Sequence, residues 1–184
     1  MRRISQILRV AQDDEDLILE EEQMSADFNI EEILSIAVQI ERNGQRFYSR
    51  AADLVSAPAL KKLLSGLVVL ERAHEQYFIK MQEELSEEER KPATFDPEHE
   101  TGAYLKALAD MRIFDLHNDK LSGKNTPKEI ITSAIGMEKD SIVFYLGMKE
   151  LVPKRLGQDK INIIIHEEMR HVTVLSNELT SLKG

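Results

Sequence analysis

The sequence states one arrangement of acids and histidines twice. Glu41 is followed seven residues later by Tyr48 and thirty residues later by Glu71, with His74 three places further on in the stretch ERAH. Adding 97 to each of these numbers gives Glu138, Tyr145, Glu168 and His171, the last two in EMRH. Any fold this chain adopts must bring the same residue types into equivalent places two times over.

The apolar residues around each copy recur in steps of three and four, the period of a helix with one buried face. One stripe runs through Ile30, Ile33, Leu34, Ala37, Ile40, Gly44, Tyr48 and Ala51, and Glu41 lies inside it. A second, from Leu60 through Leu67 and Phe78 to Leu85, contains Glu71 and His74. A third, from Ile130 to Met148 and including Ser141 and Tyr145, contains Glu138. The fourth, from Ile161 through Val172 and Leu175 to Leu182, contains Glu168 and His171.

Start signals repeat as well. Asn29 with Glu32, and Thr126 with Glu129, have the spacing of a capping box, in which a polar side chain satisfies free amides at a helix start and a glutamate reaches back. Pro58 and Pro127 suit a first helical turn, where the missing amide hydrogen costs nothing. Pro153 and Gly157 separate the third helix from the fourth.

No period of two appears anywhere, so the chain reads as all-α. Residues 86 to 125 carry Pro92, Pro97 and Gly123, with a short helix expected over Tyr104 to Phe114. A few residues suffice to join antiparallel neighbours, so this segment is expected to cross the length of a bundle. The predicted architecture is a four-helix bundle of two duplicated helical hairpins joined by a long crossover, over residues 29–184. Residues 1–28, with an acidic run from Asp13 to Glu22, form an amino-terminal extension expected to be partly helical.

Four glutamates and two histidines on the inner faces of four helices would be costly in an ordinary core, because an ionised carboxylate out of water needs an opposite charge. Two divalent cations neutralise four carboxylates, and neutral imidazoles complete their coordination. Residues three apart share a helix face, so Glu71 with His74, and Glu168 with His171, can each offer an oxygen and a nitrogen to one place. This is the pattern of di-iron and di-manganese carboxylate bundles: a glutamate from each of two helices and Glu-x-x-His from the other two. The expected metal ligands are Glu41, Glu71, His74, Glu138, Glu168 and His171. Tyr48 and Tyr145 are read as hydrogen-bond donors to ligand carboxylates. His99, His117 and His166 lack partnered spacing and are read as solvent-facing or locally bonded, Met169 as core filler, and Glu83 to Glu89 as solvated surface.

The chain of 184 residues has no cysteine, which excludes disulfides, iron-sulfur clusters and thiolate metal sites. Ligands rich in oxygen with one histidine per ion suit iron or manganese, and spacing leaves the choice between them open. A net charge of -9 speaks against a nucleic-acid partner. No apolar run approaches the ~20 residues of a membrane helix, and polar residues interrupt the opening MRRISQILRV, so a cytoplasmic location is expected.

The paired Glu-x6-Tyr and Glu-x-x-His motifs, with the long crossover, resemble the rubrerythrin branch of the ferritin-like superfamily across residues 29 to 182. The resemblance implies a non-haem di-iron centre with two iron ions per bundle. It also implies reduction of hydrogen peroxide in oxidative-stress defence, and a homodimer, in which a long crossover would let subunits exchange hairpins. Typical members carry a rubredoxin domain that feeds electrons through a four-cysteine iron; here a separate donor protein is expected. The peroxidase members also have an additional glutamate near the helix-three ligand, and this chain has Ser141 three residues after Glu138 and Gly44 three after Glu41. Bacterioferritins share similar motifs, and their haem-binding methionine falls where this chain has Arg72, so no haem is expected. Two other readings stay open, a ferroxidase or iron-storage protein reacting with dioxygen, and a non-catalytic metal-binding bundle.

Overall fold

The computed structural model describes residues 30–90, 121–123 and 125–182. Four long helices account for most of them: α1 (Ile30–Leu54), α2 (Pro58–Glu83), α3 (Pro127–Leu151) and α4 (Gln158–Ser181). The amino-terminal extension, Asn29 of the first capping box, the helix expected over Tyr104 to Phe114, His99 and His117 all lie outside the described residues.

Each boundary has a local cause. Three residues separate α1 from α2, and Pro58 opens the second helix. At the start of α3 the Thr126 side chain accepts from the Glu129 amide while the Glu129 carboxylate accepts from the Thr126 amide, so the predicted capping box is formed around Pro127. Such a cap is worth about 1 kcal/mol. The α3 to α4 connection holds a short 3-10 turn, Lys154–Leu156, that helical periodicity alone does not signal. It ends at Gly157, whose φ of 103° belongs to the left-handed region that glycine enters without strain. A side chain there would also meet the Tyr77 hydroxyl.

The two hairpins pack as one bundle, α1 against α3 and α2 against α4. Their inner faces form two apolar clusters stacked along its length. One joins Ile33 and Ala37 of α1, Phe78 and Met81 of α2, Met148 of α3 and Ile161 of α4. The other joins Tyr48 and Ala51 of α1, Leu60 and Leu64 of α2, Ile130 and Ala134 of α3 and Leu175 of α4. The first cluster therefore takes the beginning of α1 and α4 and the end of α2 and α3. So α1 runs parallel to α4 and antiparallel to both α2 and α3. The end of α2 and the start of α3 lie at opposite ends of the bundle, a separation of about 37 Å for helices of this length. That is the distance a crossover must cover, and it explains why the two hairpins are not joined by a short turn.

Two apolar assignments made from the sequence are corrected. Met169 is 43% exposed and is not core filler, and Leu182, which caps the end of α4, is 40% exposed. His166 faces solvent as expected. In the Glu83 to Glu89 run, Leu85 is buried and Glu89 pairs with Arg155, while the rest of the acids are exposed. No helix among the described residues is long and apolar enough to cross a membrane.

Candidate metal centre

Between the two apolar clusters lies a polar layer, and the six residues singled out by the repeat make up its centre. Glu41 comes from α1, Glu71 and His74 from α2, Glu138 from α3, and Glu168 and His171 from α4. None is more than 5% exposed. Ligand atoms of Glu41, Glu71, His74 and Glu168 lie within 4.8 Å of one another, and so do those of Glu71, Glu138, Glu168 and His171. Glu71 and Glu168 belong to both groups. The geometry is thus two overlapping coordination sets that share two carboxylates.

Among the described residues the inward atoms have no hydrogen-bond partner: Glu41 Oε2, Glu71 Oε1, both oxygens of Glu168, and Nδ1 of His74 and of His171. They are nevertheless close. His74 Nδ1 is 2.9 Å from Glu168 Oε1, and His171 Nδ1 is 2.8 Å from Glu168 Oε2. Atoms that crowd together without aligning as donor and acceptor are aimed at a common point, as ligands around a cation are. Glu75, next to His74 in sequence, shows the ordinary alternative. It is also buried, but its two oxygens accept from Arg42 Nε and Gln45 Nε2, each at 2.7 Å.

Charge in the cluster is balanced by protons when no cation is bound. Burial drives the Glu71 carboxyl well above the usual range, with Glu41 beside it adding to the rise. Burial likewise pushes Glu138 up to about 8, against the opposing pull of His171. Burial alone would lower the histidines, but the carboxylates of Glu168 and Glu41 hold His74 at about 11, and those of Glu138 and Glu168 hold His171 at about 9. Glu168 resists the effect of burial because both imidazoles face it, and it stays below the usual carboxylate range. Glu71, Glu138 and the two imidazoles hold protons here in the place that two divalent ions would take.

Tyr48 and Tyr145 bond ligand carboxylates, but not those of their own helices. Tyr48 donates to Glu138 Oε1, and Tyr145 donates to Glu41 Oε1. Because α1 and α3 are antiparallel, two turns beyond an acid on one helix is level with the acid on the other. Sequence spacing placed the tyrosines on the right face and left the partner unspecified.

Glu167 was not read from the sequence, nor was the contact that Gly44 makes. Glu167, half exposed, lies with its Oε2 2.9 Å from His74 Nε2. Gly44 packs against Glu71: a Cβ on it would lie 3.3 Å from the carboxylate carbon and from Oε2. The sequence placed Gly44 in the α1 stripe but left its contact with Glu71 unspecified. Glu167 carries no helix-period signal, being one place off the buried face.

No protein-family model matches the chain, and no curated protein matches it closely. Among solved structures it matches that of a Thermotoga maritima protein provisionally described as a ferritin-like diiron-carboxylate protein. The two share 25% sequence identity with a TM-score of 0.62, over 84% of this chain and 96% of the other. The fold is that of a ferritin-like four-helix bundle, as the duplicated hairpins required.

Proposed function

We propose that this is a non-haem di-iron carboxylate protein of the rubrerythrin kind, reducing hydrogen peroxide with electrons from a separate donor protein. The observation that carries the metal reading is the set of buried, unpartnered and converging ligand atoms on Glu41, Glu71, Glu168, His74 and His171. The ferritin-like diiron-carboxylate description of the structural neighbour supports iron as the metal, and so does a donor set rich in oxygen with one imidazole per ion.

Glu71 and Glu168 would be shared between the two ions, with Glu41 and His74 completing one position and Glu138 and His171 the other. Two ferrous ions there would supply the two electrons that, with two protons, convert one hydrogen peroxide to two waters. The chain's part is positional. The tyrosine hydroxyls orient Glu138 and Glu41, the apolar clusters on either side exclude bulk water, and Nδ1 of each histidine is presented inward. A separate electron donor is part of this proposal, since these 184 residues hold no cysteine with which to build a thiolate iron centre. A cytoplasmic homodimer is the setting we propose.

Stopped-flow oxidation of the anaerobic, ferrous-loaded protein tests this reading. Oxidation faster with peroxide than with dioxygen supports it, and dioxygen reacting as fast or faster overturns it. One observation favours a second reading, a ferroxidase: three residues after the helix-three acid Glu138, near which peroxidase members of the resembled branch carry an additional glutamate, this chain has Ser141. On that reading dioxygen wins the comparison, and size-exclusion chromatography shows a cage of many subunits rather than a dimer.

A further inference from the structure

Residue 167 is one of the positions beside the site at which the internal repeat is not kept. Just before Glu168, it is a glutamate, and its counterpart 97 residues earlier is Leu70. Glu167 is carried on α4, yet it serves the histidine of the other hairpin, with Oε2 2.9 Å from His74 Nε2. The other ring nitrogen of His74 faces the cluster, 2.9 Å from Glu168 and 3.7 Å from Glu41. A carboxylate at Nε2 accepts a hydrogen bond from the ring N–H there, which in the neutral imidazole leaves the lone pair on Nδ1, the form that ligates a cation. It also makes that nitrogen the stronger donor.

His171 turns Nδ1 inward in the same manner, and among the described residues each of its approaches to an acid, Glu71, Glu138 and Glu168, runs through Nδ1. The duplication that relates Glu167 and His74 maps onto Leu70 and His171. Leu70 is 45% exposed and has no acceptor to offer. The two halves of the site share ligand types but differ in what holds the imidazole.

Resting on the dinuclear reading above, we propose that Glu167 is a positioning residue that makes the two metal positions inequivalent, so that the Glu41 and His74 position binds a divalent ion more tightly and fills first. Glu167 touches neither ion. It acts through His74 by fixing the tautomer and ring orientation. The expected size follows from the general behaviour of groups that hydrogen-bond a ligating histidine, whose removal costs about 10 to 100-fold in metal affinity.

The test is stepwise titration of the metal-free full chain with cobalt(II), followed by visible absorption and by proton NMR of the hyperfine-shifted imidazole N–H signals. The wild-type chain should bind two ions in steps at least about tenfold apart, with His74 signals appearing first. Glu167→Leu should weaken the first step by about tenfold or more while leaving the second in place. Leu70→Glu should tighten the second step. The two changes together should reverse the order, so that His171 signals appear first, an outcome that a merely structural role for Glu167 would not produce. Thermal unfolding of each metal-free variant verifies that it folds. Two equal steps in the wild type, or a first step unmoved by Glu167→Leu, would overturn this proposal while leaving the dinuclear site intact. Absence of any cobalt binding would overturn the dinuclear reading, and this proposal with it.

Discussion

The hydroxyl of Tyr48, on α1, donates to the carboxylate of Glu138, on α3. Tyr145 returns the bond to Glu41. Both rings are buried, and burial together with the nearby carboxylates raises both phenols well above their usual range, so they remain donors. Each hairpin therefore orients the outer acid of the other, and the halves of the bundle are joined through the site as well as through the apolar clusters.

Replacing either tyrosine by phenylalanine keeps the ring and removes one hydrogen bond to a carboxylate. We expect a loss of about 1–3 kcal/mol for Tyr48→Phe and for Tyr145→Phe, read as a lower urea midpoint of the metal-free protein. Tyr48→Phe should weaken the ion bound by Glu138 and His171, and Tyr145→Phe the one bound by Glu41 and His74.

Gly44→Ala separates fold stability from metal binding. Alanine is the better helix former by about 1 kcal/mol, so the metal-free chain should be at least as stable as the wild type. The new methyl group, however, meets the Glu71 carboxylate at 3.3 Å. Glu71 belongs to both coordination sets, so both steps of a cobalt(II) titration should weaken. Urea unfolding with and without cobalt(II) checks the two opposite signs.

The metal-free protein should lose stability as pH rises from neutral. His74 and His171 keep their protons in the folded chain up to about 11 and about 9, against 6.5 for free histidine. Their contribution is thus complete below about 6.5 and is lost as pH climbs through those higher values. Glu138, at about 8 folded against 4.5 unfolded, acts in the same direction, since the folded chain holds a proton that the unfolded chain has released. The urea midpoint in chelator should fall between pH 6 and pH 10, and bound metal, which replaces those protons, should reduce the decline. Calorimetry in buffers of different ionisation enthalpy should show proton release when metal binds.

Much of this was legible in the sequence, for a physical reason. A duplicated hairpin places equivalent residues on equivalent faces, so the offset between Glu41 and Glu138, repeated at His74 and His171, could survive only if both copies met at one place. The helix-three start was readable because Thr126, Pro127 and Glu129 act within a single turn. What helical spacing does not encode is contact between helices. It could not assign Tyr48 to Glu138 rather than to Glu41, because that depends on α1 and α3 running antiparallel. Glu167 escaped for the same reason: it looks like a surface residue of α4 until His74 arrives from α2. Its only trace was the break in the repeat at Leu70. Met169 misled because its type suits a core, while its place on α4 turns it outward.

The central claim is that the six buried residues hold two ions in overlapping sets. Anomalous diffraction from crystals of the full chain, loaded anaerobically with ferrous iron, addresses it directly. The account predicts two iron peaks per chain, one among Glu41, Glu71, His74 and Glu168 and one among Glu71, Glu138, Glu168 and His171. A single peak, or iron found only outside these residues, would contradict it.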